Sequence, residues 1–392
     1  MYQYNSKLIT KNDIFICLPG GEAYIDDALA RGATKVLKMG REEMAELAAS
    51  HFGHPSEKLT VIGITGTNGK TTVTNLIGQA LLKAGFTPFV LGTINANLTT
   101  PESLDIQRIM AEHLANNGTH FIMEVSSHGI AQKRIHCIDF DLKLLTNITQ
   151  DHLDFHKTFE NYKKTKLSFM NDSECIKIFP QDYKNIKLDF PNPLLGNFNH
   201  ENMQASVLSL QKLHISASII SKALSRATSP PGRFENISCG QNFLVIVDYA
   251  HTPDGLEKIL KTAKDLAKNK QNKLITVFGC GGDRDRGKRS KMGKITSQLS
   301  DFFIITKDNP RTESQAQITS DILQGIPDSI QNYEIIEDRK KAIKFAIKKA
   351  QTNDVVIIAG KGHENYQILN SGTIHFDDRE EVRCAIKERL SA

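Results

Sequence analysis

From residue 59 onward the chain alternates short, almost wholly apolar runs with longer stretches in which apolar residues recur every three or four positions. "LTVIGIT", "FTPFVLGT", "HFIMEVS" and "FDLKLLTNI" read as strands covered on both faces. "TVTNLIGQALLKAG", "SLDIQRIMAEHLANNG" and "TFENYKKTKLSFM" read as the helices that cover them. Such alternation builds a doubly wound, mostly parallel sheet. The breaker in "SPPGRFE" marks a border near residue 231, after which the pattern resumes with "FLVIVDYA", "GLEKILKTAKDLAKN", "KLITVFGCGG", "DFFIITKDNP", "DRKKAIKFAIKKA" and "DVVIIAGKG". Ahead of the linker "HPSEK" lies a smaller piece of the same kind, in which "DIFICLPG" and "TKVLKM" read as strands and "YIDDALARGA" and "REEMAELAASHFG" as helices. The expectation is an α/β chain of three domains, 1–58, 59–231 and 232–392, without internal repeats.

Composition narrows this little. With 392 residues, 40% hydrophobic, 24% charged, 26 Gly and 12 Pro, the chain reads as an ordinary globular protein rather than a disordered or fibrous one. A net charge of +5 spread over that length does not signal nucleic acid. The six cysteines show no zinc or CxxC spacing, which suits reduced thiols. No run of 18 apolar residues and no signal-like N-terminus is present, so a cytoplasmic monomer with no membrane insertion is expected.

The chemistry enters at "GTNGKTT". A strand running into Gly66, Thr67, Asn68, Gly69, Lys70, Thr71 and Thr72, then a helix, puts backbone N–H groups and a helix N-terminus around polyphosphate. Lys70 adds charge and the Thr71 hydroxyl can bind Mg²⁺. The strict GxxxxGK[ST] pattern is not met, because its first glycine falls on Ile64. Ligands of open parallel sheets gather at C-terminal strand ends, and two later ends are unusually polar: "FIMEVSSH" with Glu124, Ser126, Ser127 and His128, and "LLTNITQDHLDFH" with Asn147, Asp151, His152, Asp154 and His156. Glu124 can complete a Mg²⁺ shell beside Thr71; the plainer alternative is a salt-bridged strand end. His152 is either part of that site or a helix-capping histidine.

"GTNGKTT", "TTPESLDIQ", "MEVSSHGIAQKR", "TNITQDHLDFH", "PGRFE", "VDYAHTPDGLE", "FGCGGDRDRGKR", "DNPRTE" and "GKGHENYQ" stand in the order seen in the Mur ligases, and the chain resembles that family over nearly everything beyond residue 59. Residues 1–58 resemble the family's UDP-binding domain more weakly and look abbreviated, as does the stretch between "LGTIN" and "TTP". The resemblance implies an ATP-dependent ligase: a substrate carboxylate takes the γ-phosphate, and an amine attacks the acyl phosphate. Nearest are the members that add the third amino acid to UDP-MurNAc-L-Ala-D-Glu in peptidoglycan synthesis.

Carried over residue by residue, the resemblance gives Lys70 and Thr71 to phosphate and a first Mg²⁺, Glu124 to that ion, and His152 to a second. Lys166 matches a carbamylated lysine; on its own, the run of Lys163, Lys164 and Lys166 reads as a solvated helix face. Asn199, Asn202, Arg233 and Asp248 match positions around ATP, with His251 beside them. Ser6, Thr99, Thr100, Ser126 and Arg134 match the sugar-peptide site, and Arg284, Asp308, Asn309, Arg311, Gly360 and Glu364 the amino-acid site. Arg311 favours meso-diaminopimelate over L-lysine, because a guanidinium pairs with the distal carboxylate that lysine lacks. Alternatives are the same ligation with L-lysine, a folylpolyglutamate synthetase-like amide ligase, and a P-loop switch or motor; the last should show NKxD or an Asp-Glu Walker-B end, and neither is present.

Overall fold

The computed structural model describes residues 1–171, 174–267 and 271–391. The chain falls into two compact units, one formed by 1–193 with 198–227 and the other by 194–197 with 228–392. No described helix is long and apolar enough to cross a membrane.

The first unit holds two sheets. Strands β1 (Tyr2–Gln3), β2 (Ile14–Cys17) and β3 (Lys35–Lys38) form a small parallel sheet in that order. Its core is slight, with Ile9, Phe15, Cys17, Ala28 and Ala33 on one side. On the other, Ile16, Met44 and Ala48 pack with Leu104, which belongs to the helix Ser103–Ala115 of the larger body. The main sheet comprises β4 (Thr60–Thr65), β5 (Pro88–Leu91), β6 (His120–Val125), β7 (Leu142–Leu145) and β8 (Ile176–Ile178), all parallel, in the order β5-β6-β4-β7-β8. Every residue of β6 and β7 is buried, as expected of strands covered on both faces. With β4 central, the order reverses beside it, and the loops after β4, β6 and β7 open at one sheet edge.

The second unit repeats the plan with β9 (Glu235–Asn236), β10 (Leu244–Asp248), β11 (Leu274–Phe278), β12 (Phe302–Ile305), β13 (Tyr333–Ile335) and β14 (Val355–Ala359), ordered β13-β12-β11-β14-β10-β9 with only β9 antiparallel. A hairpin, β15 (Tyr366–Leu369) and β16 (Gly372–His375), follows.

The expected strands and helices are present; the helix after β10 is described to Leu266, and the last part of "GLEKILKTAKDLAKN" lies outside the described residues. Several elements were not foreseen: helices Asn197–Lys212, Gly287–Leu299 and Asp378–Leu390, and the hairpin. Gly287–Leu299 buries Arg289, Met292, Gly293, Thr296 and Ser297, a stripe with one large apolar residue, so its periodicity is invisible to a hydrophobic pattern.

Candidate active site

The phosphate loop is shaped by two glycines that no other residue could replace. Gly66 has φ +147° and a Cβ there would lie 1.8 Å from Thr146 Oγ1; Gly69 has φ +87° and its Cβ would lie 2.4 Å from Asn202 Oδ1. β4 runs through buried Ile64, which explains why the pattern's first glycine is missing: the turn begins only at Gly66. The loop is held from outside. Thr67 N donates to Asn147 O (2.8 Å), Asn68 N to Asn147 Oδ1 (3.0 Å), and the Thr67 hydroxyl lies 2.8 Å from Tyr162 Oη. Lys70 opens the helix Lys70–Lys83, and its Nζ donates to Gly66 O (2.8 Å) and Thr67 O (3.0 Å). Asn202, whose Oδ1 faces Gly69, donates to Asn199 Oδ1 (3.1 Å), and both expected adenine-side asparagines are buried.

Lys166 is not on a solvated face. It is 1% exposed and donates to Gly66 O at 2.9 Å, the same carbonyl that accepts from Lys70. Burial, then repulsion from Lys70, drives its pKa well below the usual lysine range. Lys163 and Lys164 are exposed, whereas Tyr162, Lys166, Phe169 and Met170 face inward. That i, i+4, i+7, i+8 spacing was the signal available in the sequence.

Glu124, 2% exposed at the end of β6, accepts from the Thr71 hydroxyl through Oε2 (3.0 Å) and from Thr93 N through Oε1 (2.9 Å), with Thr93 Oγ1 3.1 Å from Oε2. Thr93 was not foreseen; its hydroxyl is also 3.1 Å from that of Thr99, which joins the phosphate loop to the sugar-peptide residues. The Thr100 hydroxyl donates to Glu124 O and accepts from Ser126 N, both at 2.9 Å, while Arg134 donates to Thr100 O (2.8 Å) and Gln132 Oε1 (2.5 Å). Thr99, Thr100, Ser126 and Arg134 therefore form one connected group. Ser6 is buried at the start of the short 3-10 helix Ser6–Leu8, between β1 and β2, and hydrogen-bonds Asp27; no described contact joins it to that group.

Thr71 and Glu124 offer hard oxygen donors side by side, a set that suits Mg²⁺. His152 is half exposed, with φ +52° and Nε2 3.5 Å from Asp151 Oδ2. Its ring lies against those of His128 and Tyr162, and no described contact joins it to Glu124 or Lys166. Among the described residues no cluster of three or more His, Cys, Asp or Glu is placed to hold a metal.

In the second unit, Asp248 ends β10 and is fully committed to backbone, accepting from Phe234 N and Ala250 N at 2.7 Å each. Burial raises its pKa, opposed by the charge of Arg233. Arg233 lies over the Tyr249 ring at 4.7 Å, and His251 Nδ1 is 2.9 Å from Tyr249 O.

The ends of β12 and β14 assemble the expected amino-acid residues. Gly360 has φ +120°, and a Cβ would lie 2.6 Å from Asp308 Oδ2. Asn309 donates to Glu364 Oε2 (2.9 Å) and accepts from Ile368 N (2.9 Å). Arg311 has φ +55°; its Nη1 donates to Gly282 O (2.8 Å) and Asn309 O (3.3 Å), which leaves the Nε/Nη2 fork without a hydrogen bond among the described residues. Arg284 is exposed beside Gly281. Three buried cations were missed. Lys361 Nζ, fully buried, donates to Glu364 Oε2 (2.9 Å) and Asn309 Oδ1 (3.2 Å). Arg289 binds Glu313 and Asp321, and Arg339 binds Asp378 through two 2.7 Å bonds while donating to Ala359 O (3.0 Å) and Lys307 O (3.3 Å), the residues just before Gly360 and Asp308.

Family models match in both units: the Mur ligase middle domain at residues 64–187, and the Mur ligase, glutamate ligase domain at 232–362. The UDP-N-acetylmuramoyl-L-alanyl-D-glutamate--2,6-diaminopimelate ligase of Clostridium tetani is 38% identical, over 98% of this chain and 94% of its own. The chain is a Mur ligase. A solved structure of a UDP-N-acetylmuramoyl-L-alanyl-D-glutamate--2,6-diaminopimelate ligase matches at 31% identity and TM-score 0.63, covering 99% of this chain and 95% of the other. The MurF ligase of Thermotoga maritima, solved with ADP, matches at TM-score 0.66 over 100% of this chain and 97% of the other, and its 18% identity speaks for the fold alone. The alignment to the clostridial relative runs over 462 positions against 392 residues here, so the shortening of this Mur ligase is internal.

Proposed function

We propose that this Mur ligase joins meso-diaminopimelate to UDP-MurNAc-L-Ala-D-Glu in the cytoplasm, through an acyl phosphate. In the first step a carboxylate oxygen of the D-Glu residue forms a bond to the γ-phosphorus of ATP, and the bond from that phosphorus to the β–γ bridging oxygen breaks, releasing ADP. In the second the amine of the amino acid attacks the acyl carbon, phosphate leaves, and the nitrogen gives its extra proton to solvent. The first step brings two anions together, so the protein's task is positioning and positive charge rather than a covalent nucleophile.

The observation that carries the reading is the unbroken path Thr71–Glu124–Thr93–Thr99, which sets the phosphate loop beside the residues matched to the sugar-peptide. Lys70 and the loop amides would hold the transferred phosphate, with Asn199 and Asn202 beside them; Arg233 and Asp248 are carried over from the family's motifs as further ATP residues. Mg²⁺ bound by Thr71 and Glu124 would neutralise phosphate charge. The depressed pKa of Lys166 supports carbamylation, because only a neutral amine can add CO₂; the carbamate, with His152, is the proposed second ion site. For the amino acid, the open fork of Arg311 supports a bidentate pair with the distal carboxylate, and Glu364 a contact with the neighbouring ammonium. We assign residues 1–58 to an abbreviated UDP-binding domain, 59–231 to the ATP-binding domain and 232–392 to the amino-acid domain.

The test is ATP-dependent ligation with UDP-MurNAc-L-Ala-D-Glu and a panel of amino acids. Leaving Arg311 unpaired with lysine costs about 2–5 kcal/mol, a discrimination of roughly 30- to several-thousand-fold. Ligation of L-lysine as efficiently as meso-diaminopimelate would refute the assignment.

A further inference from the structure

The small N-terminal sheet meets the main body of the first unit at the start of helix Ser103–Ala115, and one carboxylate stands at that seam. Glu102 is the residue preceding the helix, a place where a short polar side chain would cap it, yet it makes no capping bond. It is 5% exposed and lies between two guanidinium groups. Arg41 approaches from the N-terminal part, with Nε 3.1 Å from Oε2 and Nη2 3.3 Å from Oε1. Arg134 approaches from the sugar-peptide group, with Nε 3.2 Å from the same Oε1 in an ionic contact.

Arg41 is the first residue of the helix Arg41–His51, where the helix dipole disfavours a cation. Its own helix therefore does not account for it; Glu102 does. From Glu102 the connection continues through Arg134 to Thr100 O, and from the Thr100 hydroxyl to Glu124 O and Ser126 N.

We infer that Arg41 and Glu102 are positioning residues for Arg134, so that the N-terminal part acts on the peptide end of the sugar-peptide substrate and not only on its nucleotide end. This rests on the reading of Arg134 as a substrate contact. Without Arg41, Glu102 pairs one-to-one with Arg134 and draws it from its aim; without the Glu102 carboxylate, Arg134 loses the anchor that holds it there.

The experiment compares wild type, Arg41→Met, Arg41→Lys, Arg134→Lys, the double variant Arg41→Met/Arg134→Lys, and the isosteric Glu102→Gln. For each, KM is measured for UDP-MurNAc-L-Ala-D-Glu, for the MurNAc-dipeptide lacking UDP, for ATP and for meso-diaminopimelate, with Tm as a check on folding. If the UDP-lacking compound turns over too slowly, its inhibition constant against the full substrate gives the same comparison. Arg41→Met should raise KM about tenfold for both sugar-peptides by the same factor, and leave KM for ATP and for the amino acid within about twofold. Arg41→Lys should restore most of the loss, Glu102→Gln should reproduce it, and Arg41→Met should add nothing on top of Arg134→Lys. An effect confined to the UDP-bearing substrate, additivity with Arg134→Lys, or an unchanged KM in Glu102→Gln overturns the inference. Because Arg41 is a third exposed, its replacement leaves the core intact. A wild-type enzyme that turns over no sugar-peptide at all would instead sink the functional reading beneath it.

Discussion

The two candidate sites sit at equivalent places, the C-terminal ends of parallel strands, but handle charge differently. In the first unit Lys70 and Lys166 both donate to the carbonyl of Gly66, with the phosphate loop's N–H groups around them. In the second, each buried cation is already matched: Lys361 to Glu364, Arg289 to Glu313 and Asp321, Arg339 to Asp378. Converging positive groups suit a ligand that brings several negative charges, as a triphosphate does. A pre-paired mesh attracts little by itself, but fixes where Asn309, Arg311 and Glu364 point, which is what choosing between two similar amino acids requires. The first site reads as a place for binding charge, the second as a place for selection.

The largest effect that could break this contrast is at Lys70. Lys70→Ala should lower kcat by roughly 10³-fold, as expected for losing a group that stabilises the transferred phosphoryl. A loss of only a few-fold, measured with saturating ATP, would remove the phosphate site from the comparison. Lys166→Ala should also lose activity, and should regain part of it with added short carboxylic acids that occupy the position of the carbamate. Absence of rescue, with an unmodified lysine in a high-resolution map, would mean that Lys166 acts only as a neutral hydrogen-bond donor.

On the selective side, Arg311→Ala should cut kcat/KM for meso-diaminopimelate by about 30-fold or more and narrow its advantage over lysine. An equal loss for both amino acids would show that Arg311 supports the loop rather than reading the ligand. The smallest effect tests the mesh itself. Arg289 holds Glu313 at a pKa of about 2, below its ordinary 4.5. A depressed carboxyl contributes its stability fully above the unfolded value and loses it as pH falls through the folded one. Thermal unfolding of the wild type should therefore weaken between pH 4.5 and about 2, and Arg289→Leu should flatten that part of the profile. An unaltered slope would mean that the ion pair contributes nothing in solution.

This contrast also decided what could be read beforehand. The phosphate loop was legible because its glycines, lysine and threonine are local and directly follow an apolar strand. Glu124 was legible because it ends a fully buried run. The mesh was not: in "DRKKAIKFAIKKA" Arg339 looks like any residue of a solvated basic face, and only Asp378, 39 positions later, explains its burial. Lys361 was passed over although its partner Glu364, three positions on, was found through the family motif; its second contact, Asn309, lies 52 positions back. Arg41 and Glu102 belong to segments 61 positions apart whose packing no periodicity announces.

The small sheet of the N-terminal part is completed on one face by Leu104. Synthesis proceeds from the N-terminus, so these residues leave the ribosome well before the helix Ser103–Ala115 that covers them. The core on the other face, five residues of which only Phe15 is large, is too slight to hold three short strands against chain entropy. This part of the chain, made before the helix that covers it, is thus among the later parts to fold, and until then its strands β1 to β3 must be kept from pairing with anything else.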